Sequence, residues 1–384
     1  MPDDVIEKNI YKNSIKLRFH LFLSELARYN KAMRYYDEIN LNAAGSKRQV
    51  REAAGFREKT YHALVYLSKI VITLAFCMSF VIGYTKLFGA ENSIVGVAVL
   101  LCIMVFRFAD FGMRLPHAKL AMLLIFAIYA VGPRAANALG PVAGALIHVG
   151  CIFLMLLFGC HDVLTQNHST LVLIYLLLYG NDVTGRAYQL RLWGLLLGAV
   201  LTLLVYHRNH KDTDYTLGMR GIIEAFDLRS KRTRWQLTLS FTVASMLMLG
   251  GLLHLPRAMW AGIAAMSVMM PKEGELKKRV CSRIIGNAAG GAVLFFLLLL
   301  LPESIYPMLG ILGGFCLGFC ATYRWQSVFN AISGMSAALS LLGWKATIFY
   351  RIINNAIGAV YGLLFGWLFN HVLDRMLESE QASS

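Results

Sequence analysis

From residue 66 almost to its C-terminus the chain is a succession of apolar runs, each about 20 residues long, broken by short polar segments. A helix of that length crosses the hydrocarbon of a bilayer. Lipid offers no water to pair with backbone N–H and C=O groups, so only helices or a closed β-barrel can span it. The alternating pattern of a membrane barrel, about ten residues per strand, is absent. The fold class is therefore all-α, a polytopic membrane protein. Composition agrees: 57% of residues are hydrophobic and 15% charged, where a soluble domain carries about a quarter charged.

Hydropathy places spans near 66–88, 93–108, 117–133, 138–160, 169–183, 187–206, 237–254, 257–270, 280–301, 304–320, 326–342 and 348–371. That predicts about twelve transmembrane helices, the fifth and eighth short. With the N-terminus inside, thirty of the 37 Lys and Arg fall on the cytoplasmic side. Lys86, Arg134, Arg186, Arg191, Arg257, Lys345 and Arg351 remain for the other. Positive residues accumulate on cytoplasmic loops, so both termini are expected in the cytoplasm. The net charge of +15 is explained by those loops, and nucleic-acid binding is excluded because the basic runs lie between spans.

The expected organisation is a cytoplasmic amphipathic prelude (1–62), a first transmembrane half (63–206), a cytoplasmic connecting segment (207–236), a second half (237–371) and a cytoplasmic tail (372–384). In the prelude, Ile15, Phe19, Phe22, Leu26, Tyr29, Met33 and Tyr36 recur at helical spacing among basic residues. Such a helix suits an anionic membrane surface or this protein's own loops. The halves resemble each other: KIVITLAF (69–76) recurs as RWQLTLSF (234–241), and GVAVLLCIMV (96–105) as GIAAMSVMMP (262–271). Two six-helix repeats entering from the same side imply a pseudo-two-fold axis along the membrane normal.

Three segments carry a chemical signal. RLWGLLLG from Arg191, RIIGNAAG from Arg283 and RIINNAIG from Arg351 each place Gly seven residues after Arg. In the first two an intervening Gly makes Gly194 with Gly198, and Gly286 with Gly290, G-x-x-x-G pairs, which let another helix backbone approach closely. Gly358 closes the third. At these spacings Arg and Gly share a face, so the guanidinium should point toward neighbouring helices. Each Arg is expected at a helix N-terminus, where an anion would draw on both the guanidinium and the free N–H groups. Snorkelling to lipid phosphate is the competing reading.

The spans hold almost no carboxylates. Asp110, Asp162 and Asp182 lie at span ends, whereas Asn287, Asn330, Asn354 and Asn355 lie inside. A cation carrier needs intramembrane acids, so an anionic cargo fits better. Asp110 and Asp182 are the available proton-coupling carboxylates. Tyr188, Trp193, Trp260 and Trp325 read as interfacial belt residues. There is no phosphate-binding G-x-x-x-x-G-K-[ST] and no H-E-x-x-H or paired-Cys metal motif. CHDVLTQNH (160–168) has no recognised ligand spacing. Neither an enzyme nor a cofactor nor a bound metal is expected.

MWAGIAAMSVMMPKEGELKKRVCSRIIGNAAGGAV (259–293) resembles the signature of the fusaric acid resistance / aromatic acid exporter superfamily. Trp260, Pro271, Arg283, Ile284, Gly286 and Gly290 are the matching positions. The resemblance implies proton-driven efflux of aromatic carboxylic acids or similar anions across a bacterial inner membrane. It also allows a homodimer and, in some members, a periplasmic adaptor protein. One departure is the connecting segment, which replaces a large soluble domain found in many members.

Together these readings describe a secondary transporter of organic anions, with Arg191, Arg283, Arg351, Asn287 and Asn354 along the anion path. A passive anion channel and a non-transporting, phospholipid-binding membrane organiser are the alternatives.

Overall fold

The computed structural model describes residues 35–161, 167–269 and 276–383. Asp162, Pro271 and all of the prelude stripe except Tyr36 lie outside them. Every regular element among the described residues is helical. The helices are α1 (Ala43–Glu52), α2 (Phe56–Phe88), α3 (Ser93–Phe106), α4 (Leu115–Gly159), α5 (His168–Gly180), α6 (Gly185–His210) and α7 (Met219–Glu224). They continue with α8 (Lys231–Leu252), α9 (Met259–Val268), α10 (Leu276–Leu300), α11 (Tyr306–Gly318), α12 (Tyr323–Ser336), α13 (Leu339–Leu342) and α14 (Trp344–Ser383). Six of them (α2, α4, α6, α8, α10 and α14) are long and apolar enough to cross a membrane. The chain is a multi-pass helical membrane protein.

Two compact units form. One holds the described residues up to Ala75 together with Gly318–Ala321. Within it the Tyr66 hydroxyl donates to Gly318 O at 3.0 Å, and its ring meets Phe319 edge-on. The other, Phe76–Leu317 with Thr322–Ser384, contains all the motif arginines.

The helix boundaries differ from the hydropathy reading in three places. The break expected between 133 and 138 lies instead at Gly140, whose φ of 77° interrupts α4 just before Pro141. Only Gly adopts that backbone without a Cβ clash, and Pro cannot donate to the turn before it. The span expected at 326–342 stops at Ser336 and resumes only as the one-turn α13. The connecting segment is shorter than expected, since α6 runs on to His210 and α8 starts at Lys231.

Four apolar helices (α3, α5, α9 and α11) are short. The ten residues of α9 rise only about 15 Å, half the roughly 30 Å hydrocarbon thickness. A helix that ends inside the bundle must find partners there for its terminal backbone groups. Neighbouring side chains donate to carbonyls at and beside these ends. Trp235 Nε1 donates to Met269 O at the end of α9, at 3.3 Å. Asn354 Nδ2 donates to Pro256 O and Arg257 O just ahead of its start. At the start of α3, Asn92 Nδ2 donates to Phe88 O and Ala187 O, and at its end His210 Nε2 contacts Phe106 O at 3.1 Å.

The glycines decide which helices meet. A Cβ on Gly358 of α14 would strike the backbone of Ala261 in α9, and one on Gly198 of α6 would strike Val99 of α3. Gly194 faces Val95 and Phe88. On α10, Gly286 lies against Ser327 and the Arg324 carbonyl, and Gly290 against the Val328 carbonyl, both of α12. Hydroxyls inside α8 are satisfied by the preceding turn: Thr238, Ser240 and Thr242 each donate to the carbonyl four residues back.

Gly358→Ala should therefore push α9 from α14 and cost about 1–3 kcal/mol, read as a lowered Tm in detergent. Gly83→Ala, where a Cβ meets open space, should leave Tm unchanged or raised. Equal Tm values for the two variants would contradict the close contact.

Candidate functional site

Each motif arginine lies about two turns inside its helix, because α6 starts at Gly185, α10 at Leu276 and α14 at Trp344. The expected helix N-terminal placement is therefore corrected. Polar residues ahead of the apolar runs, Arg186 in α6 and Lys277–Arg279 in α10, carry the helices further out. Unpaired N–H groups belong to the first four residues of a helix, and the dipole's influence fades over its first turn. Whatever attracts an anion here must come from side chains.

Arg191 is 3% exposed and makes three hydrogen bonds. Its Nε donates to Asn92 Oδ1 at 3.1 Å, one terminal nitrogen to Leu178 O at 3.5 Å and the other to Asn181 O at 2.7 Å. It thus caps the C-terminal end of α5, where a cation is favoured, and ties that end to the start of α3. Among the described residues no contact joins it to Arg283 or Arg351. This geometry makes Arg191 a clasp between short helices, with each of its three guanidinium nitrogens bonded to the protein.

Arg283 and Arg351 are brought together. Arg283 Nε donates to Asn355 Oδ1 at 3.1 Å, and Asn355 Nδ2 donates to Arg351 O at 2.8 Å. Both arginines are buried, at 8% and 7% exposure. Arg351 has one long bond, to Asn330 O at 3.4 Å, while its buried Nε has no partner. Its guanidinium lies 5.0 Å from the Trp260 ring centroid, a cation–π distance, and packs on Gly334, where a Cβ would sit 3.0 Å from Cζ. Among the described residues, no ion pair involves Arg191, Arg257, Arg283 or Arg351.

The amides divide by role. Asn287 Nδ2 bonds back to Arg283 O, leaving its buried Oδ1 unpartnered. Asn354 points away from the pair, toward the turn before α9. The aromatic residues divide too. Trp260 is buried beneath Arg351, whereas Trp193 and Trp325 are exposed, and the Tyr188 hydroxyl bonds Ala130 O.

The two carboxylates proposed for proton coupling lie at opposite ends of α3. Asp110 follows its C-terminus, accepting from the Tyr215 hydroxyl at 2.7 Å with His210 3.9 Å away. Asp182 lies near its N-terminus, paired with Arg134 at 2.6 Å. The structure does not join them to each other or to the arginine pair.

Three participants escaped the sequence reading. Arg279 stacks on the Tyr323 ring at 4.3 Å, Tyr323 lies beside Arg283, and Arg257 occupies the turn before α9. Arg279 was legible, being four residues before Arg283 and hence on the same face. Tyr323 and Arg257 had no local signal, since only tertiary packing brings them to α10 and α14.

Residues 243–365 match a family model described as fusaric acid resistance protein-like. The match contains Arg257, Arg283, Arg351, Asn287 and Asn354 but not Arg191, and it supports the resemblance drawn from residues 259–293. No curated protein and no solved structure matches the chain.

Arg191→Lys should destabilise the protein by about 1–3 kcal/mol, because an ammonium cannot reproduce the three-way fork. The expected readout is a lowered Tm, with anion affinity intact in the protein that remains folded. A Tm equal to that of the parent chain would contradict the clasp.

Proposed function

We propose that this protein is a secondary transporter that exports organic anions, aromatic carboxylates foremost, driven by protons across a bacterial inner membrane with both termini cytoplasmic. The observation that carries the reading is the buried Arg283–Arg351 pair without a carboxylate. Placing one charged residue at mid-membrane costs about 3 kcal/mol on insertion scales, and two like charges add repulsion. An anion between them turns that repulsion into attraction, and a carboxylate matches the guanidinium fork bidentately. The unpartnered Nε of Arg351 provides a donor. The neighbouring Trp260 and Tyr323 rings offer apolar faces for an aromatic cargo. In this reading Asn355 spaces the two arginines and Asn287 orients Arg283.

The same reading takes the helical segments as twelve spans in two six-helix repeats, with α4 contributing two either side of Gly140. Corresponding contacts support it: α6 meets α3 through Gly194 and Gly198, as α14 meets α9 through Gly358 and Gly362. The repeats then differ in chemistry. The first spends its arginine on a helix end, and the second keeps its arginine for the cargo.

Arg351→Ala and Arg283→Ala should each abolish uptake of labelled benzoate into inverted vesicles, with protein level and insertion unchanged. An uncoupler should collapse accumulation in the parent chain. Gly334→Ala, which crowds the Arg351 guanidinium, should weaken benzoate binding about tenfold, or about 1.4 kcal/mol. Undiminished transport in Arg351→Ala would remove the pair from the mechanism.

A further inference from the structure

At the end of the bundle where α2 finishes, an open cleft of about 1050 Å³ lies between the α5–α6 and α8–α9 turns. Asn137, Tyr179, Asn181, Thr184, His254 and Arg257 supply its polar lining, and Met259 and Leu341 add apolar surface. Of the two carboxylates in its wall, Asp182 is already paired with Arg134, and Glu91 is exposed at the rim. Among the described residues Arg257 has only neutral acceptors. One terminal nitrogen donates to Gly180 O at 3.0 Å and to Asn181 Oδ1 at 3.1 Å, leaving Nε and the other terminal nitrogen available.

The turn bearing Arg257 is strained. His254 has φ 50° and Arg257 φ 56°, the left-handed region that costs a non-glycine residue about 1–3 kcal/mol. Leu255 N to Gly250 O, at 2.8 Å, and Trp260 N to Arg257 O, at 2.8 Å, hold it. So does Asn354, the neighbour of the Asn355 that bridges the buried arginines. Trp260, over which Arg351 lies, is three residues from Arg257. One helix of the buried pair thus holds the turn that presents a third guanidinium to open solvent.

We propose that this cleft is a second organic-anion site, the vestibule of the transport path, with Arg257 as its receiving residue. The inference rests on the transport reading for its role in a path but not for binding. Arg257 engages the carboxylate through its free fork, and Met259 and Leu341 flank the ring. One terminal nitrogen anchors the guanidinium on the end of α5, which leaves Nε and the other terminal nitrogen for the carboxylate.

The test uses the purified full-length chain in detergent carrying Thr184→Cys, a change at the exposed rim, with the maleimide labelling rate measured against the parent chain's background. Benzoate should slow labelling at least fivefold, and neutral benzamide should not. Adding Arg257→Gln should remove the protection, whereas adding Arg351→Ala should leave it intact while abolishing transport. Should Arg257→Gln fail to insert, Arg257→Lys is expected to weaken protection at least threefold. Equal protection by benzamide, or protection unaffected by Arg257→Gln or Arg257→Lys, overturns the assignment. So does an absence of protection in a chain that transports benzoate. Protection in a chain that does not transport would uphold the binding site and remove only the transport reading.

Discussion

Everything in the second compact unit depends on how short helices end inside an apolar bundle. A helix of ten to fourteen residues cannot reach both faces of a bilayer, so its terminal carbonyls and amides must be paired by protein. For carbonyls at and beside these ends the donors are side chains of neighbouring segments: Asn92, Asn354, Arg191, Arg257 and Trp235. Glycines on the long helices make this geometry available by allowing backbone contact with Ala261 at Gly358 and close packing of the Val99 side chain at Gly198. Close packing and polar capping are two parts of one solution.

Against that background the charge on each arginine has a different meaning. Arg191 meets the carbonyl end of α5, where partial negative charge compensates it. The Arg283 guanidinium bonds Asn355 and lies beside Tyr323, and that of Arg351 makes one long bond to Asn330 O and lies over Trp260, all of them neutral partners. Replacing water with such weak acceptors leaves an attraction unsatisfied, which a negative solute can meet. Arg257 is intermediate, spending one terminal nitrogen on the end of α5 and presenting the other two nitrogens to the cleft. The series Arg279, Arg283, Arg351 and Arg257 follows α10, α14 and the turn before α9, with Tyr323 and Trp260 packed beside it.

Much of the fold was legible because lipid imposes a simple rule on composition. The apolar runs located the long helices, and the G-x-x-x-G spacing located the faces at which helices touch. Helix ends were less legible. Lys277–Arg279 and Arg186 look like loop residues on a hydropathy scale, yet they extend helices by two turns, which removed the N-terminal placement expected for the arginines. Gly140 escaped because hydropathy scores only polarity: the Gly140–Pro141 pair is the local mark of a break, yet both residues sit within an apolar run.

By itself the sequence determined that this chain is an all-helical membrane protein with few acids and three arginines facing inward, because hydropathy and helical periodicity are local properties. Only the tertiary structure decided which guanidinium groups are spent and which are free. That depends on the carbonyls and amides that distant segments deliver to each one, and on no spacing along the chain.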